Sequence, residues 1–101
     1  MSSITTALQS TGLPWTFSHF EEKVEPPFLA YVQNGQNQFS ADDSRHWHRN
    51  TYQVEYYFKI KSTASEEAIE KALLDAGFQF TRSEDIYLED EDVFVVYYYT
   101  N

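Results

Sequence analysis

Histidines are the residues of this chain that are best suited to bind a transition metal. His46 and His48 stand two residues apart, so they would share one face of a strand, and His19 could complete a three-histidine site. No adjacent carboxylate pattern is present to fix the tautomer that a ligating imidazole needs. Exposed polar residues on an arm explain the histidines better, and we predict no metal site.

Six acids lie within nine residues, as Glu84, Asp85 and the run Glu89–Asp92. Hard cations such as calcium prefer several carboxylate oxygens, so a calcium loop is one interpretation of this run. The run contains no glycine and lacks the D-x-[DN]-x-[DN]-G spacing of a calcium-binding loop. We therefore predict a solvated hairpin tip or an acidic face that meets a basic partner.

Nucleophilic catalysis has few candidate residues in this sequence. The chain has no cysteine, no G-x-S-x-G motif and no glycine-rich phosphate loop. Glu55 is the one carboxylate within a largely apolar segment, and Lys59 on the same predicted face suggests an ordinary surface charge. The sequence predicts a protein that is not an enzyme and uses no cofactor.

Charge is distributed unevenly along the chain. The net charge is −9, yet residues 41–61 sum to +1, whereas residues 62–101 carry ten acids against Lys71 and Arg82. A chain this acidic repels phosphate backbones, so we predict no nucleic-acid partner. The separated basic and acidic stretches could instead meet on neighbouring subunits.

A length of 101 residues predicts a single domain, residues 1–101. The first eight residues do not resemble a signal peptide, and no apolar run approaches the roughly 18 residues of a membrane helix. We expect a soluble protein without a membrane partner.

Strand-type alternation is most regular in the segment Thr51–Lys61. One face would carry Tyr52, Val54, Tyr56, Phe58 and Ile60, and polar residues mostly occupy the other. Phe28–Val32 is predicted as a buried strand that ends at an Asn34-Gly35 turn. Gln36–Asn50 lacks periodicity and is predicted as a long exposed loop or a protruding hairpin arm.

Two helices are predicted. The first spans Ser2–Gly12, with Ile4, Ala7 and Leu8 on one face. The second starts with Ser65 as N-cap, or with a capping box between Thr63 and Glu66, and ends at Gly77. Its predicted apolar stripe comprises Ala68, Ile69, Ala72, Leu73 and Ala76.

Shorter strands are predicted near Trp15–Phe20, Phe78–Phe80 and Ile86–Leu88, before a last strand at Val93–Thr100. The last strand is apolar on both faces, which indicates a central strand or one covered by a partner. These elements predict an α+β fold: an antiparallel sheet of four to five strands of mixed length, two helices packed on one face, and a protruding loop or hairpin arm.

Aromatic residues make up 18% of the chain, and some are predicted on outer faces or on the arm. Tyrosine and tryptophan anchor protein interfaces because they are apolar with one polar end. Amphipathic sheet tyrosines on a monomer remain the alternative. The predicted subunit-interface residues, chosen for aromatic character or charge, are Phe39, Arg45, Trp47, Arg49, Tyr57, Glu89, Asp90, Glu91, Asp92 and Tyr98.

The order of elements and several short segments resemble the tail terminator, or tail completion, proteins of long-tailed bacteriophages. The matching segments are Pro26–Tyr31, Asn34-Gly35, Phe39–Asp42, Tyr52–Tyr57, Glu66–Leu73 and Ala76–Phe78. The resemblance spans residues 4 to 98. The segment Ala41–Asn50, with Arg45, His46, Trp47 and His48, departs from the family pattern beyond its first two residues.

This resemblance implies a small α+β domain that forms a ring, usually of six copies. The ring would cap the tail tube and join it to the head, which makes the major tail protein and a head-completion or connector protein the partners. It further implies a virion protein that is assembled in the host bacterial cytoplasm, with no catalytic residues. A different class of function, a small acidic DNA mimic that inhibits a host nuclease, is the alternative that the net charge favours.

Overall fold

The computed structural model describes residues 4–40 and 46–100, with the backbone alone for residues 35–40 and 46–49. In this described part of the chain, two helices accompany a six-stranded sheet, which confirms the predicted α+β class with one or two strands more than expected. The elements in chain order are α1 (Ile4–Ser10), β1 (Trp15–Phe17), β2 (Phe28–Ser40), β3 (His46–Phe58), α2 (Thr63–Asp75), β4 (Phe80–Arg82), β5 (Ile86–Leu88) and β6 (Val93–Thr100).

The sheet has the order β1-β2-β3-β6-β4, and β5 also pairs with β6. All strand pairs are antiparallel except β1 with β2. β6 therefore lies inside the sheet, between β3 and the short strands β4 and β5. This position explains the apolar residues on both of its faces, because Val95 and Val96 point to opposite faces and both are buried.

One face of the sheet carries the main core. The alternation of β3 was predicted correctly for Val54, Tyr56 and Phe58, which are buried against the helices. Leu8 of α1 and Ile69 and Leu73 of α2 complete this core. Ile60, predicted on the same face, lies beyond the end of β3 and is 84% exposed, because the strand alternation ends at Phe58.

The start of α2 differs from both predicted starts. Ser62 is the N-cap, since its backbone is extended and its hydroxyl accepts a hydrogen bond from the Ser65 amide at 3.1 Å. The helix consequently begins at Thr63, and its buried face includes Glu66 while Ala68 is exposed. The predicted helix end at Gly77 is confirmed by a left-handed φ of 90°.

A hairpin of β2 and β3 replaces the turn predicted at Asn34-Gly35. The two strands pair from Phe28 with Tyr57 as far as Ser40 with His46. The register shifts between Gln33 and Gly35, where β2 contains one residue more than β3. The Asn34-Gly35 prediction was wrong because the glycine marks a bulge within a continuing strand rather than a chain reversal. The strand β3 correspondingly begins at His46, five residues before the predicted Thr51.

The outer part of this hairpin projects beyond the rest of the sheet. The pairing of β1 with β2 stops at Tyr31, and that of β6 with β3 stops at Gln53. Within the described part of the chain, residues 36–40 and 46–50 pair only with each other. We call these residues the arm; at about 3.3 Å per residue it is roughly 17 Å long.

Candidate assembly surface

The arm positions the aromatic and basic residues that were predicted to contact another subunit. Phe39 is the cross-strand partner of Trp47, and Arg49 pairs with Asn37. The two aromatic residues are therefore adjacent across the arm. Arg45 lies outside the described residues, and the interface roles of all four remain predictions.

A second feature lies at the other end of the hairpin. A cavity of about 500 Å³ opens between the connector, residues 18–26, and the sheet face opposite the helices. Phe28, Ala30, Tyr57 and Val93 supply its apolar wall. Phe20 holds the connector in place, because its ring packs edge-on against Phe28 with the centroids 5.3 Å apart. We call this cavity the groove.

Acids outnumber bases around the groove. Of the residues that the structure describes, four acids line it together with two lysines: Glu22, Glu25, Asp90 and Glu91 with Lys23 and Lys59. Tyr57, Asp90 and Glu91, three of the predicted interface residues, thus come together here from distant parts of the chain. An apolar wall with an acidic rim suits a partner that is aromatic and basic.

The remaining predicted acids lie in the turn between β5 and β6. Glu89 is exposed, and Asp92 accepts a hydrogen bond of 2.7 Å from the hydroxyl of Tyr87, which raises the pKa of that tyrosine. The turn is an exposed hairpin tip, and the predicted meeting of its acidic residues with a basic partner remains a prediction. Among the residues that the structure describes, no group of three acids or histidines is close enough to hold a metal ion.

Tyr57 is half-buried and held on both sides. Its ring stacks on Phe28 at 4.9 Å, and its hydroxyl donates a 2.6 Å hydrogen bond to Oε1 of Glu55. Burial, and then this hydrogen bond to a carboxylate, raise the pKa of Tyr57. Glu55 is itself half-buried and bonded to Tyr57 and Gln53, so the predicted surface charge beside Lys59 was wrong.

Tyr98 does not lie on an outer face. Its side chain is fully buried on the helix side of the sheet, where its ring packs edge-on against Phe80. The hydroxyl donates to Oε2 of Glu70 at 3.0 Å, and burial raises its pKa. Tyr98 was predicted on an outer face of the sheet, and this prediction was wrong. Because β6 is apolar on both faces, its sequence does not show which face the helices cover. Tyr98 cannot contact another subunit from this position.

An ion-pair cluster accompanies the core, and sequence reasoning missed it. The carboxylate of Glu66 is only 6% exposed, with Arg82 Nη1 at 3.0 Å from Oε1 and Lys61 Nζ at 2.8 Å from Oε2. Asp85 pairs with both of these cations. The cluster holds Glu66 and Asp85 against two cations, so the charges of these two acids are compensated locally.

Arm and groove lie at opposite ends of the molecule. Phe28, at the groove, is twelve residues along β2 from Ser40, which corresponds to about 40 Å of strand. The longest extent of the molecule is 51 Å. His19 lines the groove whereas the backbone of His46 lies at the far end of the arm, so the three histidines are not assembled into one site.

No protein-family model matches this chain, and a search of curated proteins found no match. Among solved structures, a chain from the virion of a native gene transfer agent particle has a similar fold, with a TM-score of 0.55. The likeness covers 97% of this chain and 84% of the other, at 10% sequence identity. Similarity at this identity establishes a shared fold. In addition, the described part of the chain contains no helix that is long and apolar enough to cross a membrane.

Proposed function

We propose that this protein is a structural component of a phage-like virion and acts as a tail terminator. It would cap the tail tube as a ring, with six copies as the expected number, and join the tail to the head. The observation that carries the proposal is the placement of two complementary patches, the arm and the groove, at opposite ends of one molecule. The similarity of fold to a virion chain over nearly the whole length supports it.

A ring requires an interface in which one patch meets a different patch on the next copy. The arm carries Phe39, Trp47 and Arg49, and Arg45 immediately precedes its second strand in the sequence, whereas the groove is apolar with an acidic rim. Aromatic residues and arginine are the residue types that anchor interfaces. Because the two patches lie about 40 Å apart along β2, they cannot satisfy each other within one copy. They are therefore available to a neighbour on each side.

The proposed partners are further copies of the same chain, the major tail protein, and a head-completion or connector protein. The proposed location is the virion, after assembly in the cytoplasm of a bacterial host. No catalytic step, cofactor, nucleic acid or membrane enters this function. Each copy acts only through the surfaces that it presents.

The test reverses the charge of the arm. We expect the double substitution Arg45→Glu and Arg49→Glu to abolish oligomers, since it places like charges beside the acidic rim. Light scattering over a concentration series measures the mass of the assembly. The control is Lys71→Glu, an exposed lysine on α2. An assembly mass that the double substitution leaves unchanged contradicts the pairing of arm and groove.

Electron microscopy tests the role in the tail. Tails assembled without this protein should lack a defined end and should fail to join heads, and the purified protein should restore both. Restoration by the charge-reversed arm variant would show that assembly on a tail does not use the arm. Failure of the wild-type protein to bind tails would refute the tail terminator role.

The DNA-mimic alternative has the net charge of −9 in its favour. The ion pairs of Glu66 and Asp85 with Lys61 and Arg82 count against it, because a mimic needs acids that are free over one long face. Co-purification of a host nuclease with this protein, together with inhibition of its activity, would favour this alternative over the ring.

A further inference from the structure

We infer that Glu55 and the tyrosines beside it form the docking position for an arginine on the arm of a second copy. The inference rests on the proposed ring and specifies one contact within it. It extends the groove along the sheet face opposite the helices, to residues that the charge pattern alone did not single out. Three observations concern Glu55 itself: its position on the sheet, its hydrogen bonds to uncharged donors, and the tyrosines around it. The fourth is that Arg49 of the same copy is too far away to reach it.

Glu55 lies in the middle of the helix-free sheet face. It is on β3, and its cross-strand neighbours are Ala30 on β2 and Tyr97 on β6. Ala30 is buried and also lines the groove. Tyr57, two residues further along β3, also lines the groove, so Glu55 directly extends this surface.

The hydrogen bonds that Glu55 makes in the described part of the chain come from uncharged donors. Gln53 Nε2 donates to Oε2 at 2.9 Å and the Tyr57 hydroxyl donates to Oε1 at 2.6 Å, but both donors are neutral. No cation among the residues that the structure describes makes an ion pair with this half-buried carboxylate. Its field raises the pKa of both Tyr57 and Tyr97, after the larger effect of burial. A carboxylate with two neutral donors can still accept an arginine.

The aromatic surroundings favour a guanidinium in particular. Tyr97 and Tyr99 stack with their centroids 6.1 Å apart, and Tyr99 is 37% exposed. A guanidinium is planar and weakly hydrated, so it can lie on a tyrosine ring while it donates to a carboxylate. A lysine ammonium loses more hydration at such a position. Arginine is therefore the matching residue type.

The arm of the same molecule cannot supply this arginine. Arg49 is six residues from Glu55 along β3, about 20 Å of strand, which exceeds the reach of its side chain. The returning strand of the arm, residues 46–50, carries Arg49 and two histidines and no acid. A second copy presents the same basic strand from outside. We therefore assign Arg49 of a neighbouring copy to Glu55.

A double-mutant cycle tests the contact. Glu55→Gln keeps the shape and removes the charge, so we expect the monomer to stay folded and the association constant to fall at least about tenfold. Arg49→Gln should give a similar loss, and the double variant should be no weaker than either single variant. Glu67→Gln, which alters an exposed acid on α2, is the matched control and should associate like the wild type. Sedimentation over a concentration series gives the constants.

Disulfide trapping provides an independent readout, because the chain contains no cysteine. Tyr99→Cys and Arg49→Cys are purified separately, reduced, mixed and allowed to oxidise. We expect a mixed disulfide between the two variants. When Glu67→Cys replaces Tyr99→Cys, the yield of the mixed disulfide should be much lower.

The outcomes separate this inference from the function on which it rests. If the wild type forms rings while Glu55→Gln and Glu67→Gln associate equally well, the Glu55 contact is wrong and the ring stands. If the losses of association free energy in the two single variants add fully in the double variant, Arg49 is the wrong partner. If the wild type forms no oligomer at any concentration or on tails, both the ring and this contact are refuted.

Discussion

Glu66 offers the sharpest test of what stabilises the monomer. The substitution Glu66→Gln keeps the size of the side chain and removes a carboxylate that is 6% exposed and contacts Arg82 and Lys61. Lys61 and Arg82, which converge on this carboxylate, lose one of the two acids that they share, and Asp85 is the other. We expect a clear loss of stability with no change of fold.

The expected magnitude follows from the exposure of the partners. Removing one member of a fully buried ion pair costs about 3–5 kcal/mol. Arg82 and Lys61 are 33% and 47% exposed, so water solvates their freed charges, and Asp85 remains as a partner for both. We therefore discount the cost to about 1–2 kcal/mol. For a domain of this size, the melting temperature should fall by about 5–15 °C.

Urea denaturation monitored by circular dichroism measures this change, with the m-value as a check on two-state unfolding. The matched control is Lys71→Gln, on the same helix, which breaks an ion pair whose partners are 76% and 65% exposed. That substitution should leave the midpoint nearly unchanged. Equal midpoints for the two variants would show that burial does not strengthen the Glu66 contacts.

Three further predictions concern stability. Tyr98 keeps its proton in the folded state because its pKa is raised, while an unfolded tyrosine ionises above about pH 10. Stability should therefore fall as pH rises above about 10, and Tyr98→Phe should reduce the slope by up to about 1.4 kcal/mol per pH unit in urea titrations at alkaline pH. Ser62→Ala removes the N-cap of α2 and should lower the free energy of unfolding, measured by urea denaturation, by about 0.5–2 kcal/mol. Ser65→Ala keeps the backbone amide that donates to the cap, so it should lower this free energy by less. Gly77→Ala should lower the free energy of unfolding by about 1–2 kcal/mol, as measured by calorimetry, because alanine is strained at a φ of 90°. The added methyl group would meet no other atom within 4 Å, so backbone strain is the whole expected effect. An unchanged melting temperature would contradict this.

Much of the fold could be predicted because local pattern and tertiary structure agree. The alternation of β3 identified the face that the helices cover, and the apolar spacing of α1 identified Ile4, Ala7 and Leu8 as buried. The Asn34-Gly35 prediction failed because a dipeptide reports only local preference. Twelve cross-strand pairs hold β2 and β3 together on both sides of this point and override it.

The candidate site was predicted in part. Charge and aromatic content identified Tyr57, Asp90 and Glu91, which the structure brings to one groove. Glu66 could not be predicted as buried, because its partners Lys61 and Arg82 approach it only in the folded chain, from outside its helix. The contacts of Glu55 could have been anticipated, since Gln53, Glu55 and Tyr57 alternate on one strand face.

The bulge at Gln33–Gly35 has a geometric consequence for any closed assembly. Among the described pairs of β2 and β3, it is the one register shift between the groove and the arm, and the Thr51 hydroxyl fixes it by donating to Asn34 Oδ1 at 2.7 Å. A bulge bends and twists its strand, so this point sets the angle at which the arm leaves the body. In the proposed ring, that angle would determine the rotation from each copy to the next. One extra residue would then set the number of copies, and its deletion would yield a wider ring, a narrower ring or an open helix.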